Sequence, residues 1–538
     1  MSKMKLDSFG VMIDVSRDNV ISLEQWERFL PILKKMGYNT VFLYAEDTYE
    51  VEGEPYFGYM RGRYSLAEMK SLDELADSFG IEVIPCIQTL GHLNTLDKWR
   101  YYKLDAPGIL MVGDERNYEL IDNMFKSLRK SFKTNRVHIG MDEAYMLGRG
   151  KYLDKNGYEN QGAIMKKHLN RVVEIAKKYG YELLMWSDMF FNEWTNNNYY
   201  TGKAEIPEEY KKAIPESVIP VYWDYYHRKE SEYDDMLYNH KQLSKDTWFA
   251  GGAWTWTGFV PSNKFSLETM IPAFEACKKN KIKNVFITIW GDNGGECSKL
   301  SVLPTLFYLS EIVKGNSDEE KIKAKFKRTF GVDYDDFISI DEPNDIAPGK
   351  EPIKHPHTPA KYMLYSDYFN GFLDYTVKPG CGKEYEEIAK KLSAVAKKTR
   401  RFGYIFDSAA KLCDVLAVKY ELGVKTRAAY QRGDKEELLH LANNDYTEIE
   451  KRLRVFLCAF ERQWITENKT IGFEVHESRI ASIMLRTASC KKRLIAYAKG
   501  KIERIEELEC EIIPVENVEP GESIFYNGFI PTFTSNVM

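Results

Sequence analysis

The chain has 538 residues, of which 44% are hydrophobic and 14% aromatic, enough apolar material for two or three folded cores. Its 75 basic and 80 acidic residues leave a net charge of −5, which argues against nucleic acids and anionic membranes as partners. The sequence has no apolar stretch of about 18 residues, no apolar leader before the first predicted strand and no metal-ligand spacing among its eight cysteines. We therefore expect a cytoplasmic protein with reduced thiols and no membrane span.

Eight short apolar runs, each followed by a helical pattern, precede residue 291. The runs are 9–14, 40–45, 82–87, 137–141, 182–186, 218–223, 248–253 and 284–290. They are almost continuously apolar, as expected for parallel strands that are covered on both faces. Three of the helical patterns end in Gly37, Gly80 and Gly180 shortly before a strand, where glycine favours the left-handed conformation that closes a helix.

The alternation of strands and helices predicts an α/β fold, namely a (β/α)8 or TIM barrel over residues 1–315. An open, doubly wound sheet is the main alternative, but no Gly-x-Gly-x-x-Gly motif follows the first run. Beyond Asp318 the strand-like runs disappear, and helical patterns cover residues 383–432, 435–464 and 476–509. Residues 316–538 are therefore predicted to form a C-terminal α-helical bundle domain and a possible dimerisation element, entered through a Pro-rich segment at 340–359.

Polar and aromatic side chains follow every predicted strand, at the end of a barrel where active sites are built. They are Asp14 and Arg17; Tyr44, Glu46 and Asp47; Gln88 and His92; Asp142 and Glu143; Trp186 and Asp188; residues 222–227; Trp254 and Trp256; and Trp290, Asp292 and Glu296. Any one of them alone would be interpreted as a solvated strand end. Together, the carboxylates, arginine, histidine and tryptophans indicate a site for a neutral ring rich in hydroxyl groups, such as a sugar.

The segment HIGMDE at 138–143 resembles the His-x-Gly-(Gly/Ala)-Asp-Glu signature of family 20 glycoside hydrolases, the β-N-acetylhexosaminidases. Met141 stands where that family usually has a small residue. Further segments match in order, with GVMIDVSR at 10–17, LYAED at 43–47 and TLGH at 89–92, so the resemblance covers about residues 9–296. The C-terminal part is similar to that of a bacterial cytoplasmic branch whose members dimerise through it, which implies a homodimer.

The resemblance also implies roles for individual residues. Asp142 would orient the 2-acetamido group of the substrate, and Glu143 would be the catalytic acid and base. The sugar hydroxyls would be bound by Arg17, Glu46 or Asp47, His92 and Asp292, and the acetamido group would be enclosed by Trp186, Trp223 and Trp290. The Tyr-x-Asp motif of the family follows its seventh strand, whereas here Tyr222-Trp-Asp224 follows the sixth. We expect Tyr225 or Tyr222 to hold the acetamido oxygen, Asp224 to lie at the sugar, and Trp254 to form an added wall.

The implied reaction is a substrate-assisted, retaining hydrolysis in which the acetamido oxygen attacks the anomeric carbon and forms an oxazolinium ion. It requires neither a metal nor an organic cofactor. The substrates would be glycosides or oligosaccharides with a terminal, non-reducing β-linked N-acetylglucosamine or N-acetylgalactosamine, cut from the chain end. Because adjacent acids titrate apart, Asp142 would help to keep Glu143 protonated near neutral pH.

Three other functions remain open from the sequence alone. A retaining β-glycosidase would use Glu143 as the acid and Asp292 or Glu296 as a protein nucleophile. A non-catalytic sugar-binding protein could keep the tryptophans but would have no use for adjacent acids. A metal-dependent hydrolase would draw on His92, His138 and Asp142, although their spacing matches no metal motif. Residues 461–479 are either a connection between helices or a loop that contributes to a dimer or to the outer part of the site.

Overall fold

The computed structural model describes residues 3–195, 198–347, 354–515, 518–534 and 536. By internal packing the chain divides into two units. The first unit comprises Met1–Ala253, Ser266–Trp290 and Leu306–Ser317, and the second comprises Trp254–Phe265, Gly291–Thr305 and Asp318–Met538. The loops that follow the seventh and eighth predicted strands are therefore grouped with the helical part of the chain.

Eight parallel strands of the first unit close into a barrel. The strands of the chain are β1 (Ser8–Asp14), β2 (Thr40–Tyr44), β3 (Glu82–Cys86), β4 (Leu104–Ala106), β5 (Ile109–Leu110), β6 (Arg136–His138), β7 (Glu182–Trp186), β8 (Val218–Trp223), β9 (Trp248–Gly252) and β10 (Asn284–Ile289). Around the barrel the order is β1-β10-β9-β8-β7-β6-β3-β2, while β4 and β5 form a separate antiparallel pair. The predicted (β/α)8 barrel is thus confirmed, and each of the eight apolar runs overlaps one barrel strand.

Bulky side chains fill the inside of the barrel. Buried residues from seven strands form one cluster: Met12, Phe42, Tyr44, Ile84, Cys86, Leu184, Trp186, Ile219, Val221, Trp248, Ala250 and Phe286. Trp223 and Trp290 pack against this cluster while remaining partly exposed. Aromatic residues therefore extend from the core to the carboxyl ends of the strands, where a barrel carries its site.

Helices separate the barrel strands along the chain. They are α1 (Leu23–Met36), α2 (Leu66–Ser78), α3 (Glu115–Ser131), α4 (Lys151–Asn156), α5 (Gln161–Lys177), α6 (Asp188–Trp194), α7 (Glu208–Lys211), α8 (Glu230–Leu243), α9 (Asn263–Lys279) and α10 (Leu303–Val313), with 3-10 turns at Asn94–Lys98 and Lys299–Val302. Gly37, Gly80 and Gly180 have φ angles of 100°, 63° and 70°. The left-handed glycines predicted between these helices and the following strands are confirmed.

The remaining helices form the C-terminal region. They are α11 (Glu319–Phe330), α12 (Tyr334–Ile338), α13 (Pro359–Tyr365), α14 (Cys381–Lys398), α15 (Gly403–Lys419), α16 (Leu422–Gln431), α17 (Lys435–Asn443), α18 (Asp445–Glu467), α19 (Glu474–Ala498), α20 (Glu506–Glu509) and α21 (Phe529–Phe533), with 3-10 turns at Ser339–Asn344 and Asp374–Thr376. The helical character was predicted, but the three long patterns are broken into seven helices. Within the Pro-rich segment 340–359, residues 348–353 lie outside the described part of the chain.

Two local features differ from the predicted elements. The fourth barrel strand was expected at 137–141 but ends at His138, so the adjacent acids lie on a turn beyond it. The antiparallel pair β4–β5, within the long connection between β3 and β6, was not predicted because its strands have only three and two residues. Among the described residues, no helix combines the length and the apolar character needed to cross a membrane.

Candidate active site

The turn after β6 carries the two adjacent acids in an unusual backbone conformation. Gly140, Met141 and Glu143 have φ angles of 69°, 70° and 51°, in the left-handed region that residues with a side chain rarely adopt. Such conformations cost of order 1–3 kcal/mol each and persist where the surrounding structure enforces them, often at functional sites. Because the chain does not continue as a strand, the side chains of Asp142 and Glu143 need not point to opposite faces.

The Gln88 side chain holds this turn in place. Its Oε1 accepts a hydrogen bond from the Met141 backbone N–H at 3.1 Å, and its Nε2 donates to Asp142 Oδ1 at 2.8 Å. The same Nε2 lies 3.1 Å from the Tyr44 hydroxyl. A Cβ atom at Gly140 would collide with the Gln88 amide, so the close contact requires glycine at that position. One amide thus fixes both the backbone of the turn and one oxygen of Asp142.

His92 faces both acids. Its Nε2 lies 3.2 Å from Asp142 Oδ2 and 3.6 Å from Glu143 Oε2. Burial opposes the charged imidazole, but the carboxylate of Asp142, and less so that of Glu46, raises the pKa of His92 to about 10. In the same way burial disfavours ionised Asp142, but the His92 charge and the hydrogen bonds it receives hold the pKa of Asp142 below its usual value. Asp142 is therefore a carboxylate and His92 an imidazolium at neutral pH.

Glu143 has a different environment from its neighbour. Its side chain is 45% exposed, against 15% for Asp142. Its backbone N–H donates to Asp188 Oδ2 at 3.0 Å, which ties the turn to the first residue of α6. Burial, together with the charge of Asp142, raises the pKa of Asp188 to about 7. Glu143 is therefore the more exposed carboxyl group of the pair.

Arg17 and Glu46 form an ion pair beside His92. Arg17 Nη2 lies 3.0 Å from Glu46 Oε1, and the same oxygen accepts a hydrogen bond from the Tyr44 hydroxyl at 3.2 Å. Burial raises the pKa of Glu46 to about 7, although Arg17 and His92 oppose this shift. Asp47 is bound elsewhere, with its Oδ1 3.2 Å from Arg61 Nε. The structure therefore groups Glu46, rather than Asp47, with Arg17 and the turn after β6.

Aromatic rings form the apolar side of the site. The rings of Trp186 and Trp290 are 6.1 Å apart and inclined by 52°, and Trp290 meets Tyr44 edge-on at 4.7 Å. Trp223 stacks on Tyr225 at 5.5 Å, and its Nε1 points to Asp188 Oδ1 at 3.5 Å. Trp223 and Trp290 are only partly buried, so part of each side chain is exposed to solvent.

The two candidate tyrosines at the end of β8 have different hydrogen-bond partners. The Tyr222 hydroxyl donates to Asp224 Oδ2 at 2.6 Å, and its ring is fully buried. The Tyr225 hydroxyl interacts instead with Trp290 and Thr288, so it lies on the side of the aromatic walls. Asp224 is also fully buried, and its oxygens accept from backbone N–H groups and contact His227 Nδ1 at 2.7 Å. Asp224 therefore shapes the turn that carries Tyr225.

Two predicted site residues belong to the second unit. Trp254 is fully buried there and stacks on Trp256 at 4.1 Å, and Asp292 is half-buried in the loop that begins at Gly291. Nearby in the same unit, Glu296 is buried against Lys361, with 2.9 Å between Oε1 and Nζ, and lies 3.3 Å from Arg479. These cations hold the pKa of Glu296 below its usual value although burial opposes them.

Residues 461–479 join α18 to α19 and contact the loop after β10. Gln463 donates to the Glu296 backbone oxygen at 3.1 Å, and His476 Nε2 lies 2.9 Å from the Gly294 oxygen. Within the second unit this segment is therefore both a connection between helices and a support for the loop that carries Asp292.

Sequence reasoning placed Gln88 and Asp188 at strand ends but gave them no role. Both side chains accept hydrogen bonds from backbone N–H groups of the turn after β6, and such contacts cannot be predicted from a residue pattern. His138 is fully buried, its Nδ1 lies 3.2 Å from the Gly140 backbone N–H, and burial lowers its pKa to about 3. Within the described ranges, no group of three or more histidine, cysteine or acidic residues is arranged to hold a metal ion.

Two family models match the chain. The model of the glycosyl hydrolase family 20 catalytic domain matches residues 30–233, and the model of the glycoside hydrolase 20C C-terminal domain matches residues 335–526. Hexosaminidase D of Homo sapiens is 26% identical over 208 residues, which are 36% of this chain and 40% of the human protein. Hexosaminidase D of Bos taurus is also 26% identical over 208 residues, which are 56% of its length. The match thus spans about half of these curated relatives.

Solved structures are similar at lower identity. A β-N-acetylhexosaminidase from Bacteroides fragilis is 16% identical, with a TM-score of 0.47 over 61% of this chain and 71% of that one. A family 20 exo β-N-acetylglucosaminidase from Vibrio harveyi, solved with N-acetylglucosamine, is 14% identical, with a TM-score of 0.46 over 63% of this chain and 59% of the other.

Proposed function

We propose, because the chain belongs to glycoside hydrolase family 20, that it is an exo-acting β-N-acetylhexosaminidase that removes terminal, non-reducing N-acetylglucosamine or N-acetylgalactosamine from glycans. The observation that carries the proposal is the contrast between two adjacent acids. Asp142 is enclosed and charge-paired with His92, whereas Glu143 is half-exposed on the same turn. Substrate-assisted hydrolysis needs one fixed carboxylate and one proton donor, and this turn offers both.

In this mechanism Glu143 protonates the glycosidic oxygen and later removes a proton from the attacking water. The 2-acetamido oxygen of the substrate is the nucleophile, and the product keeps the anomeric configuration. Asp142 accepts the acetamido N–H and stabilises the positive charge of the oxazolinium ion. Its lowered pKa keeps it ionised for that role. Because Gln88 and His92 already hold both Asp142 oxygens, little reorganisation is required as the charge develops.

The aromatic residues would hold the acetamido group. Trp186, Trp223 and Trp290 offer the apolar faces that exclude water from the acetyl methyl. Tyr225 is our choice for the hydroxyl that donates to the acetamido oxygen, since Tyr222 is committed to Asp224. Dry walls around the reacting amide strengthen its interaction with Asp142 and protect the oxazolinium ion from premature attack.

The polar residues on the other side would bind the ring hydroxyls. Arg17 and Glu46 offer a donor and an acceptor close to His92, whereas Asp47 acts indirectly through Arg61. Asp292 is our candidate for an outer hydroxyl, and Trp254 for a supporting wall. Glu296 is a poor candidate for a protein nucleophile because Lys361 and Arg479 already neutralise it.

We assign catalysis to the barrel of residues 1–315, without a metal or organic cofactor, and self-association as a homodimer to the helical residues 316–538. All eight cysteines lie within the described residues and are unpaired there. The reducing compartment, such as the cytoplasm, remains part of the proposal.

A substrate series tests the function and its mechanism together. β-N-acetylglucosaminides or β-N-acetylgalactosaminides should be cleaved, whereas the matching β-glucosides and β-galactosides should be inert. Loss of an intramolecular nucleophile forfeits an effective molarity worth about 7–11 kcal/mol at best, far more than one lost contact. Stepwise fluorination of the acetyl methyl weakens the carbonyl oxygen as a nucleophile and should reduce kcat/KM steeply.

A shallow dependence on fluorine, together with measurable β-glucosidase activity, would contradict the substrate-assisted mechanism. It would promote a protein carboxylate, Asp292 or Glu296, to the nucleophile. Binding of N-acetylhexosamines without turnover would instead indicate a non-catalytic sugar-binding protein.

A further inference from the structure

A polar cavity of about 160 Å³ opens beside the catalytic turn, on the loops that follow β6 and β7. Its walls include Tyr145, Arg149, Gln161, Met189, Asn192 and Glu193. None of these residues is needed to bind the terminal sugar in the mechanism above. Since a water molecule needs about 10–15 Å³ of such space, the cavity has room for a ligand of roughly ten heavy atoms, close to one sugar ring.

The cavity shares the turn that carries Glu143. The Tyr145 backbone N–H donates to the Glu143 backbone carbonyl oxygen at 2.8 Å, so Tyr145, which lines the cavity, lies on that turn. Burial and then the Glu143 carboxylate raise the pKa of Tyr145, which places its phenol within the field of that acid. The Tyr145 hydroxyl also interacts with Asn192, at the opposite wall.

Helix α6 serves both the turn and the cavity. Its first residue, Asp188, accepts the Glu143 backbone N–H, and Asn192 follows one helical turn later on the same face. Glu193 is the next residue, and its carboxylate packs over Gly162 at the start of α5. A Cβ atom at Gly162 would collide with that carboxylate, so the glycine leaves the room that Glu193 occupies.

The chemistry of the walls suits a hydroxylated ring. The Glu193 carboxylate is part of the cavity wall, so its oxygens can accept hydrogen bonds from ligand hydroxyls. Arg149 offers donors, and Met165 and Met189 offer apolar surface for the C–H face of a ring. A few directed polar groups beside apolar surface are typical of sugar and small-molecule sites.

We propose that this cavity is the subsite for the leaving sugar, the residue to which the terminal N-acetylhexosamine is attached. The inference rests on the proposed function, since it requires Glu143 to be the acid. The glycosidic oxygen must lie at Glu143 to be protonated, and the ring bonded to that oxygen must then extend away from the terminal-sugar pocket. The cavity lies on the loops after β6 and β7, and Tyr145 in its wall is two residues from Glu143. Glu193 and Arg149 then select a hydroxylated leaving group over a small or apolar one.

The test compares two substrates with the same terminal sugar. One is the disaccharide, and the other is the methyl β-glycoside, which needs protonation equally but has no ring to fill the cavity. Glu193→Gln keeps the shape and removes the charge, and Asn192→Leu keeps the volume and removes the amide. We expect the ratio of kcat/KM for the disaccharide to that for the methyl glycoside to fall about tenfold in the first variant and about threefold in the second.

The matched control is Tyr59→Ala. Tyr59 belongs to an exposed aromatic cluster with Tyr56 and Trp99 on the loops after β2 and β3, the competing place for a second sugar. This variant should keep the wild-type ratio. A fall only in Tyr59→Ala, or an unchanged ratio in both cavity variants, would overturn the subsite.

The methyl glycoside shows whether a cavity variant has altered Glu143 itself or only the binding of the leaving sugar. If a cavity variant disturbed Glu143, kcat/KM would fall for both substrates and its pH profile would move, which would also count against a binding role. A variant that does not unfold cooperatively on heating is not properly folded, and in that case the substrate ratio of the other cavity variant decides whether the subsite is correct. If the unaltered protein cleaves neither substrate, the proposed function fails, and the subsite with it.

Discussion

At the scale of single residues, the site depends on giving two adjacent carboxyl groups different surroundings. Asp142 receives the Gln88 amide and the His92 charge and is 15% exposed, whereas the Glu143 side chain is 45% exposed and lies 3.6 Å from His92. In the mechanism that we propose, the group that stays ionised is enclosed by donors, and the group that exchanges protons is the more accessible one. Different surroundings also separate the roles of the two carboxyl groups in lysozyme, although there the acid is the buried one.

Glu143→Gln tests the proton donor. Activity on a methyl glycoside should fall by about 10²–10⁴-fold, the usual contribution of general acid–base catalysis, because methoxide is a poor leaving group. An activated aryl glycoside needs less protonation and should lose less in its glycosylation step. Steady-state kinetics on the two substrates measure this, with thermal unfolding as the check on the fold. Activity within a factor of two of wild type on the methyl glycoside would contradict the assignment.

Asp142→Asn tests the charge pair as well as the chemistry. Removing a preorganised charge beside the oxazolinium ion should cost about 10²–10³-fold in kcat. The pKa of His92 is about 10 in the folded protein and about 6.5 when unfolded, so its contribution to stability is complete below about pH 6.5 and is lost as the pH rises toward 10. In the variant burial acts largely unopposed, and this decline should disappear.

Unfolding temperatures measured from pH 6.5 to 10 provide the comparison. Asp47→Asn is the control, since Asp47 pairs with Arg61 and its pKa of about 6 lies below the window. It should retain the wild-type decline. An equal decline in Asp142→Asn would show that the charge on His92 does not depend on Asp142.

The sequence located the acids of this site better than it located their supports. Asp142 and Glu143 could be predicted to lie at a strand end because an apolar run stops just before them. The choice between Glu46 and Asp47 could not be made, because it depends on which arginine each one reaches. Gln88 and Asp188 could not be assigned roles, since their partners are backbone groups far away in the sequence.

At the scale of elements, the turn after β6 combines a strained backbone with a close contact. Gly140 has a φ of 69°, and the Gln88 side chain lies where a Cβ atom would be. A substitution must therefore displace the amide that fixes Asp142. The position is therefore sensitive both to backbone conformation and to space.

Gly140→Ala should therefore impair both stability and activity. Gly180→Ala is the matched control, with a φ of 70° but no atom within 4 Å of its Cβ position. Both variants should lose about 1 kcal/mol from the unfavourable backbone, and Gly140→Ala should lose about 1–3 kcal/mol more from overpacking. Only Gly140→Ala should reduce kcat. Urea unfolding and steady-state kinetics measure these effects, and equal losses in both variants would remove the special role of the contact.

Helices and strands could be predicted where the residues within the element itself determine it. Buried parallel strands are continuous apolar runs, and left-handed glycines mark the helix ends before them, so the barrel could be recognised from sequence. The breaks between helices α14, α15 and α16 could not be predicted, because neither residues 399–402 nor residues 420–421 contain a glycine or a proline. There the chain turns because Gly403 allows α15 to approach the Ala396 carbonyl closely, a contact between helices. Tertiary packing decided those boundaries.

At the scale of the whole molecule, the helical region presents apolar side chains that its own packing does not cover. Val455 and Ile465 on α18 and Leu485 on α19 are 52%, 51% and 74% exposed. Single exposed apolar residues are common on monomers. These three side chains lie on two long helices that pack together, and they are our candidates for the surface of self-association. Burying them against a second copy would remove apolar area from water.

Light scattering over a range of micromolar concentrations tests this self-association. The protein should be a dimer, and Leu485→Lys should shift it toward monomer, because a buried unpaired ammonium opposes association. Tyr158→Lys is the control: Tyr158 is 77% exposed but lies in the barrel unit, so this variant should remain dimeric. A monomeric wild type would contradict the dimer outright. A dimer that withstands both Leu485→Lys and Val455→Lys would retain the oligomeric state but place its interface away from these two helices.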